Sequence, residues 1–106
     1  MGQYSRAERE LSRALELTQP TALILSNLSY AQFWLGRMAE ARQSAQQAVR
    51  TDADYAPGQL MLGVLLAQDR AMLGEAIPHL ELAARTLPTA RAALDEARRE
   101  LAAGAR

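Results

Sequence analysis

The sequence contains no cysteine and no lysine. The absence of cysteine excludes a disulfide framework, a thiolate nucleophile and a cysteine zinc site. All 12 basic residues are arginine, which we interpret as the mark of an arginine-favouring, GC-rich bacterial genome. They balance 12 acidic residues, so no field of one sign attracts nucleic acid or an anionic membrane. We therefore expect neither nucleic acid nor a membrane among the partners.

Long apolar runs are also missing. No stretch approaches the roughly 18 apolar residues of a membrane span, and no basic region followed by an apolar segment resembles a signal peptide. We expect a cytoplasmic protein. The length of 106 residues corresponds to one domain, residues 1–106.

Groups that could perform chemistry are scarce. The single histidine, His79, is predicted to face water on the side of a helix, and one histidine satisfies neither a metal site nor a catalytic triad. The sequence therefore predicts no catalytic residue, no cofactor and no metal.

What the chain does contain is alanine and leucine in helical patterns. β-branched residues are few, and apolar residues recur three and four positions apart almost from end to end, which predicts an all-α protein. The pattern also repeats, with a spacing of 34 residues and then 35. Three columns are in register: Ala7, Ala41 and Ala76; Leu11, Ala45 and Leu80; Ala14, Ala48 and Ala83.

A second segment repeats between these columns, where Leu28 and Ser29 align with Leu62 and Gly63. Each unit is thus predicted to consist of two helices, A and B. The one extra residue of the second interval falls between Leu66 and Glu75, and we expect it in the turn between two helices, where an insertion costs least.

Glycine and proline mark the predicted helix ends. Gly36 lies just past the first A helix, where a left-handed C-cap favours glycine. Pro20, Pro57 and Pro88 fall at or near helix starts, where a missing N–H costs little. Pro78 is predicted to lie early in a helix that begins near Leu73 or Gly74, so that at most about one backbone hydrogen bond is lost.

This repeat resembles the tetratricopeptide repeat, a helix-turn-helix unit of 34 residues. The last unit carries the resemblance best, through Leu62, Gly63, Ala76, Leu80, Ala83 and Pro88. The middle unit matches at Leu28, Ala41 and Ala48 and departs with Ser29 for glycine, Ala45 for a large residue and Ala53 for proline.

The resemblance implies an α-α superhelix, a solenoid of about six helices in antiparallel pairs. Residues 4–20 would form helix B of a partial repeat, residues 22–55 and 56–88 two full repeats, and residues 89–103 a capping helix. In that helix Leu94, Ala97 and Leu101 form the apolar face. Nothing before Tyr4 could pair with the first helix, which leaves an apolar edge around Leu11 and Leu15.

Tetratricopeptide arrays bind peptides or helices on a concave face lined by the A helices, so the resemblance implies a protein-protein interaction module. The family's groove positions correspond here to Leu23, Ser26, Asn27, Tyr30, Phe33, Trp34, Pro57, Leu60, Met61, Val64 and Gln68. The basic residues of the family's carboxylate clamp are absent, since Pro57 and Met61 occupy their places. The surface is mostly apolar and fits an amphipathic helix or an extended segment of a partner.

Two alternatives remain open at the level of sequence. Helical spacing alone does not distinguish a groove from a core, so the same side chains could pack inside the protein. The chain could also be a self-assembly element that forms a homodimer through its exposed N-terminal helix edge. The missing partner of the first helix is also explained if the chain is an excised piece of a longer repeat array.

Overall fold

The computed structural model describes residues 2–104, and these fold into six α-helices without a strand. Short connections join the helices. The bounds are α1 (Gly2–Leu17), α2 (Ala22–Trp34), α3 (Met38–Thr51), α4 (Ala56–Ala67), α5 (Leu73–Ala84) and α6 (Pro88–Gly104), with a 3₁₀ turn (Arg70–Met72) before α5. The all-α prediction is therefore confirmed.

The helix ends follow the glycine and proline signals. Gly36 has a φ of 80°, the left-handed conformation that a residue with a Cβ rarely adopts. Thr21 caps α2 by accepting a hydrogen bond from the Ile24 N–H at 3.1 Å. Pro57 is the second residue of α4, and Pro88 begins α6.

The extra residue of the second interval lies at the 3₁₀ turn that precedes α5. In that turn the Asp69 carboxylate accepts a hydrogen bond from the Ala71 N–H at 3.0 Å. α5 begins at Leu73, as predicted, which makes Pro78 its sixth residue. Pro78 thus lies just past the first turn, where it removes a single backbone hydrogen bond to the Gly74 carbonyl.

Each helix packs against the next one along the chain, and further contacts join α2 to α4 and α4 to α6. The molecule measures 49 × 27 × 21 Å. Its core lies between α3, α4, α5 and α6 and contains Ala41, Ala45, Leu62, Leu65, Leu66, Leu73, Ala76, Leu80, Leu94 and Ala97. Leu101 was expected on the apolar face of α6 with Leu94 and Ala97, but its side chain is 42% exposed.

Small residues set the closest helix contacts. A Cβ built on Gly63 of α4 would lie 2.6 Å from Leu80 Cδ2, so glycine is required where α4 crosses α5. In the preceding pair, Ser29 takes the place of Gly63 and Ala45 that of Leu80. The Ser29 hydroxyl donates a hydrogen bond to the Ala41 carbonyl at 2.7 Å and is completely buried. The two departures from the repeat pattern thus fall at the register positions that meet in the last unit.

Candidate binding surface

One side of α2 carries a stripe of exposed apolar residues. Leu23, Tyr30 and Trp34 are 53%, 47% and 53% exposed, and Asn27 lies between them on the same face. Their spacing of four, three and four residues places them in one line along the helix. We call these four residues the α2 stripe. All four were predicted as binding residues from the sequence.

Aromatic contacts connect the α2 stripe to α1. Tyr4 stacks on Trp34 with a centroid distance of 5.9 Å and meets Tyr30 edge-on at 6.1 Å. Tyr30 and Trp34 are themselves 6.2 Å apart. Tyr4 was not among the predicted binding residues, although its spacing from Ala7 and Leu11 places it on their face of α1.

The other predicted residues are less accessible. Phe33, Leu60, Met61 and Val64 are half-buried and pack against the core. Phe33 also meets Trp34 edge-on at 5.3 Å. The predicted set therefore divides into an exposed half on α2 and a half, mostly on α4, that also supports the core.

Ser26, one of the family's groove positions, is buried, in line with the alternative that some of these side chains pack inside the protein. It is 3% exposed because α2 and α4 approach each other there, and a Cβ on Gly58 would lie 3.2 Å from Ser26 Oγ. Among the described residues, Ser26 Oγ has no hydrogen-bond partner. Of the remaining positions, Pro57 is half-buried and Gln68 is exposed.

His79 is half-buried, which corrects the prediction that it faces water. Its Nδ1 lies 2.6 Å from Oε1 of the buried Gln59, and Gln59 Nε2 donates to the Ala53 carbonyl at 2.8 Å. Because that amide oxygen accepts, His79 Nδ1 carries the proton. Burial lowers the pKa of His79 below its ordinary value, and the Glu75 carboxylate opposes this shift. The side chain links α5 to α4.

A groove runs between α1 and α2. Tyr4, Ala7 and Leu11 line it on α1, and Asn27, Tyr30 and Ala31 line it on α2. Arg37, which follows α2, forms a salt bridge with Glu8 and ties α1 to the connection before α3. The groove meets the α2 stripe at Asn27 and Tyr30, so the two surfaces are continuous.

Within residues 2–104, no three His, Asp or Glu side chains are grouped to hold a metal ion. None of the helices in this range is both long and apolar enough to cross a bilayer.

No protein-family model and no curated protein matches this sequence. The function is therefore inferred from the chain's own residues and contacts.

Proposed function

We propose that this chain is a non-catalytic protein-protein interaction module of the tetratricopeptide type. It binds a peptide or a helix of a partner on a concave, mostly apolar face formed by α2 and α4. The helix order, the three registered columns and the contacts of α2 with α4 and of α4 with α6 support this arrangement. The close approach of Gly63 to Leu80 also supports this helix arrangement.

The α2 stripe is the observation that carries the proposal. Large apolar side chains exposed together on one helix are typical of a binding surface, because burying them against a partner releases water from apolar area. Leu23, Tyr30 and Trp34 supply an aliphatic group and two aromatic rings, and aromatic residues are enriched among those that dominate binding energy. Asn27 adds an amide that both donates and accepts hydrogen bonds.

The half-buried residues suit the floor of such a surface. Met61 and Val64 contact the core and keep part of their surface accessible. A partner that covers the α2 stripe and these residues would contact α2 and α4 together. Substituting Met61 would change the stability of the protein as well as binding, so Leu23 is the better position for a test.

The test begins with peptides selected from a randomised displayed library on the immobilised protein. Affinities of the selected peptides are then compared for the unchanged protein, Leu23→Arg and Leu82→Arg. Leu82 is a matched control because it is also an exposed leucine, 39% accessible, but lies on α5. We expect Leu23→Arg to weaken binding at least about tenfold and Leu82→Arg to leave it unchanged, since only Leu23 lies on the proposed surface.

Two results would contradict the proposal. One is a selection that yields no peptide with measurable affinity. The other is a set of peptides that bind Leu23→Arg and the unchanged protein equally well, because their site would then lie elsewhere.

A further inference from the structure

The registered side chains that are buried on α3 and α5 are partly exposed on α1. Three registered positions are fully buried in the later copies, with 0% exposure for Ala41, Ala45 and Ala48 on α3 and for Ala76, Leu80 and Ala83 on α5. In α1 the corresponding residues Ala7, Leu11 and Ala14 are half-buried, and no residue of this helix is fully buried.

The later copies show what covers these positions. α3 is covered by α2 and by α4, and α5 is covered by α4 and by α6. Where α4 crosses α5, Gly63 lies directly on Leu80. α1 has α2 on one side, and within residues 2–104 no helix occupies the place on its other side that α4 takes beside α5.

The groove beside α1 is larger than the cleft at the corresponding place beside α5, where α4 is present. Beside α4, the cleft that includes Val64, Leu80 and Ala97 has a volume of about 110 Å³. The corresponding groove at Leu11, between α1 and α2, has a volume of about 470 Å³. Leu11 is the registered counterpart of Leu80, so the larger groove lies where an A helix would pack.

We propose that the groove between α1 and α2 binds an amphipathic α-helix of a partner protein. The bound helix has the chemistry of α4, with a glycine, alanine or serine where it crosses Leu11 and aliphatic residues one turn away on the same face. This inference goes beyond the proposed function because it assigns a second surface, on the open side of α1, to a ligand defined by the repeat itself.

A second copy of the chain fits this groove poorly. The outer side of α1 presents exposed charged residues, among them Arg9, Arg13 and Glu16. At the other end of the molecule, Arg98 of α6 occupies the register position of Gly63 and forms an ion pair with Glu81 at 2.9 Å. Neither end therefore offers the small residue that the contact with Leu11 requires.

The probe for the test is a blocked peptide of residues 56–70, which contains the sequence of α4 and has no tryptophan. It is titrated into the full chain while the fluorescence of Trp34 is followed. Trp34 reports on the groove because it stacks on Tyr4, which lines it. The matched control peptide carries Gly63→Arg, which places a long side chain where the helix crosses Leu11.

We expect saturable binding of the α4 peptide and at least a tenfold loss of affinity with the control peptide. Leu11→Arg in the protein should produce a similar loss, whereas Leu23→Arg should leave the affinity unchanged. Leu23→Arg thus separates this groove from the surface of the proposed function, and either proposal can fail alone. Ala7→Glu serves as a second groove variant if Leu11→Arg does not fold, as judged by circular dichroism.

Three results would overturn the inference. The first is that the α4 peptide fails to bind. The second is that the Gly63→Arg peptide binds as well as the α4 peptide does. In the third, light scattering shows that the mass of the protein doubles with concentration and that Leu11→Arg restores the monomer, which would make a second copy the occupant.

Discussion

The contact between Gly63 and Leu80 provides the sharpest test of the packing. In Gly63→Ser, the new Cβ would lie 2.6 Å from Leu80 Cδ2, 2.7 Å from Leu80 Cγ and 3.3 Å from the Leu80 backbone nitrogen. Leu80 has 0% exposure and is surrounded by core residues, so it cannot move aside freely. Overpacking of this kind costs about 1–3 kcal/mol of the free energy of unfolding.

A second substitution should relieve part of this loss. Leu80→Ala alone removes a buried side chain and should cost about 2–5 kcal/mol. The double variant Gly63→Ser/Leu80→Ala recreates the pair formed by Ser29 and Ala45 in the preceding repeat, where the serine hydroxyl reaches a backbone carbonyl. We therefore expect the double variant to be more stable than the sum of the single losses predicts, by about 1–3 kcal/mol.

Urea denaturation followed by circular dichroism gives the four free energies of the cycle. Gly74→Ser is the matched control, since Gly74 is a helical glycine with nothing within 4 Å of a Cβ built on it. We expect this control to be neutral or to gain up to about 1 kcal/mol. The reasoning is wrong if Gly63→Ser is as stable as Gly74→Ser, or if the losses in the double variant simply add.

Three further predictions concern single side chains. Gly36→Ala should lower the free energy of unfolding by about 1 kcal/mol in urea denaturation, because the residue has a φ of 80°. Ser29→Ala should also cost about 1 kcal/mol, whereas Ser26→Ala should be neutral or stabilising, because only the Ser29 hydroxyl has a partner. The pKa of His79 is lowered on folding, so the unfolded chain binds the proton more readily and stability should fall as the pH drops below about 6.5. NMR titration of the imidazole and urea midpoints across this range test this, and His79→Gln should flatten the profile.

The fold class and the helix ends could be read from local signals. Alanine-rich periodicity predicts helices, and Gly36, Pro57 and Pro88 mark their ends because few residues fit a left-handed cap or a first turn equally well. The extra residue before Glu75 was also placed correctly, since the repeat fixes which residues must stay in register. These features depend on the neighbouring residues in the chain.

The accessibility of the predicted site residues could not be read in the same way. Leu23 and Leu60 have similar chemistry and both lie on A helices, yet only Leu23 is exposed, because burial depends on which other helix lies alongside. Ser26 and His79 show the same limit. Each is polar, and each is covered by α4, through Gly58 at Ser26 and through Gln59 at His79.

The pair of departures in the middle repeat bears on how such a repeat is recognised. Ser29 and Ala45 each depart from the tetratricopeptide pattern, and a comparison that scores positions separately counts two mismatches. In three dimensions Gly63 lies directly against Leu80, while the Ser29 hydroxyl donates to the Ala41 carbonyl, one turn before Ala45 on α3. At these register positions one repeat pairs glycine with leucine and the other pairs serine with alanine, so neither combination places two large side chains together. The double variant of Gly63 and Leu80 tests this directly, because it places the serine and alanine of the middle repeat into the last repeat while the remaining contacts stay unchanged.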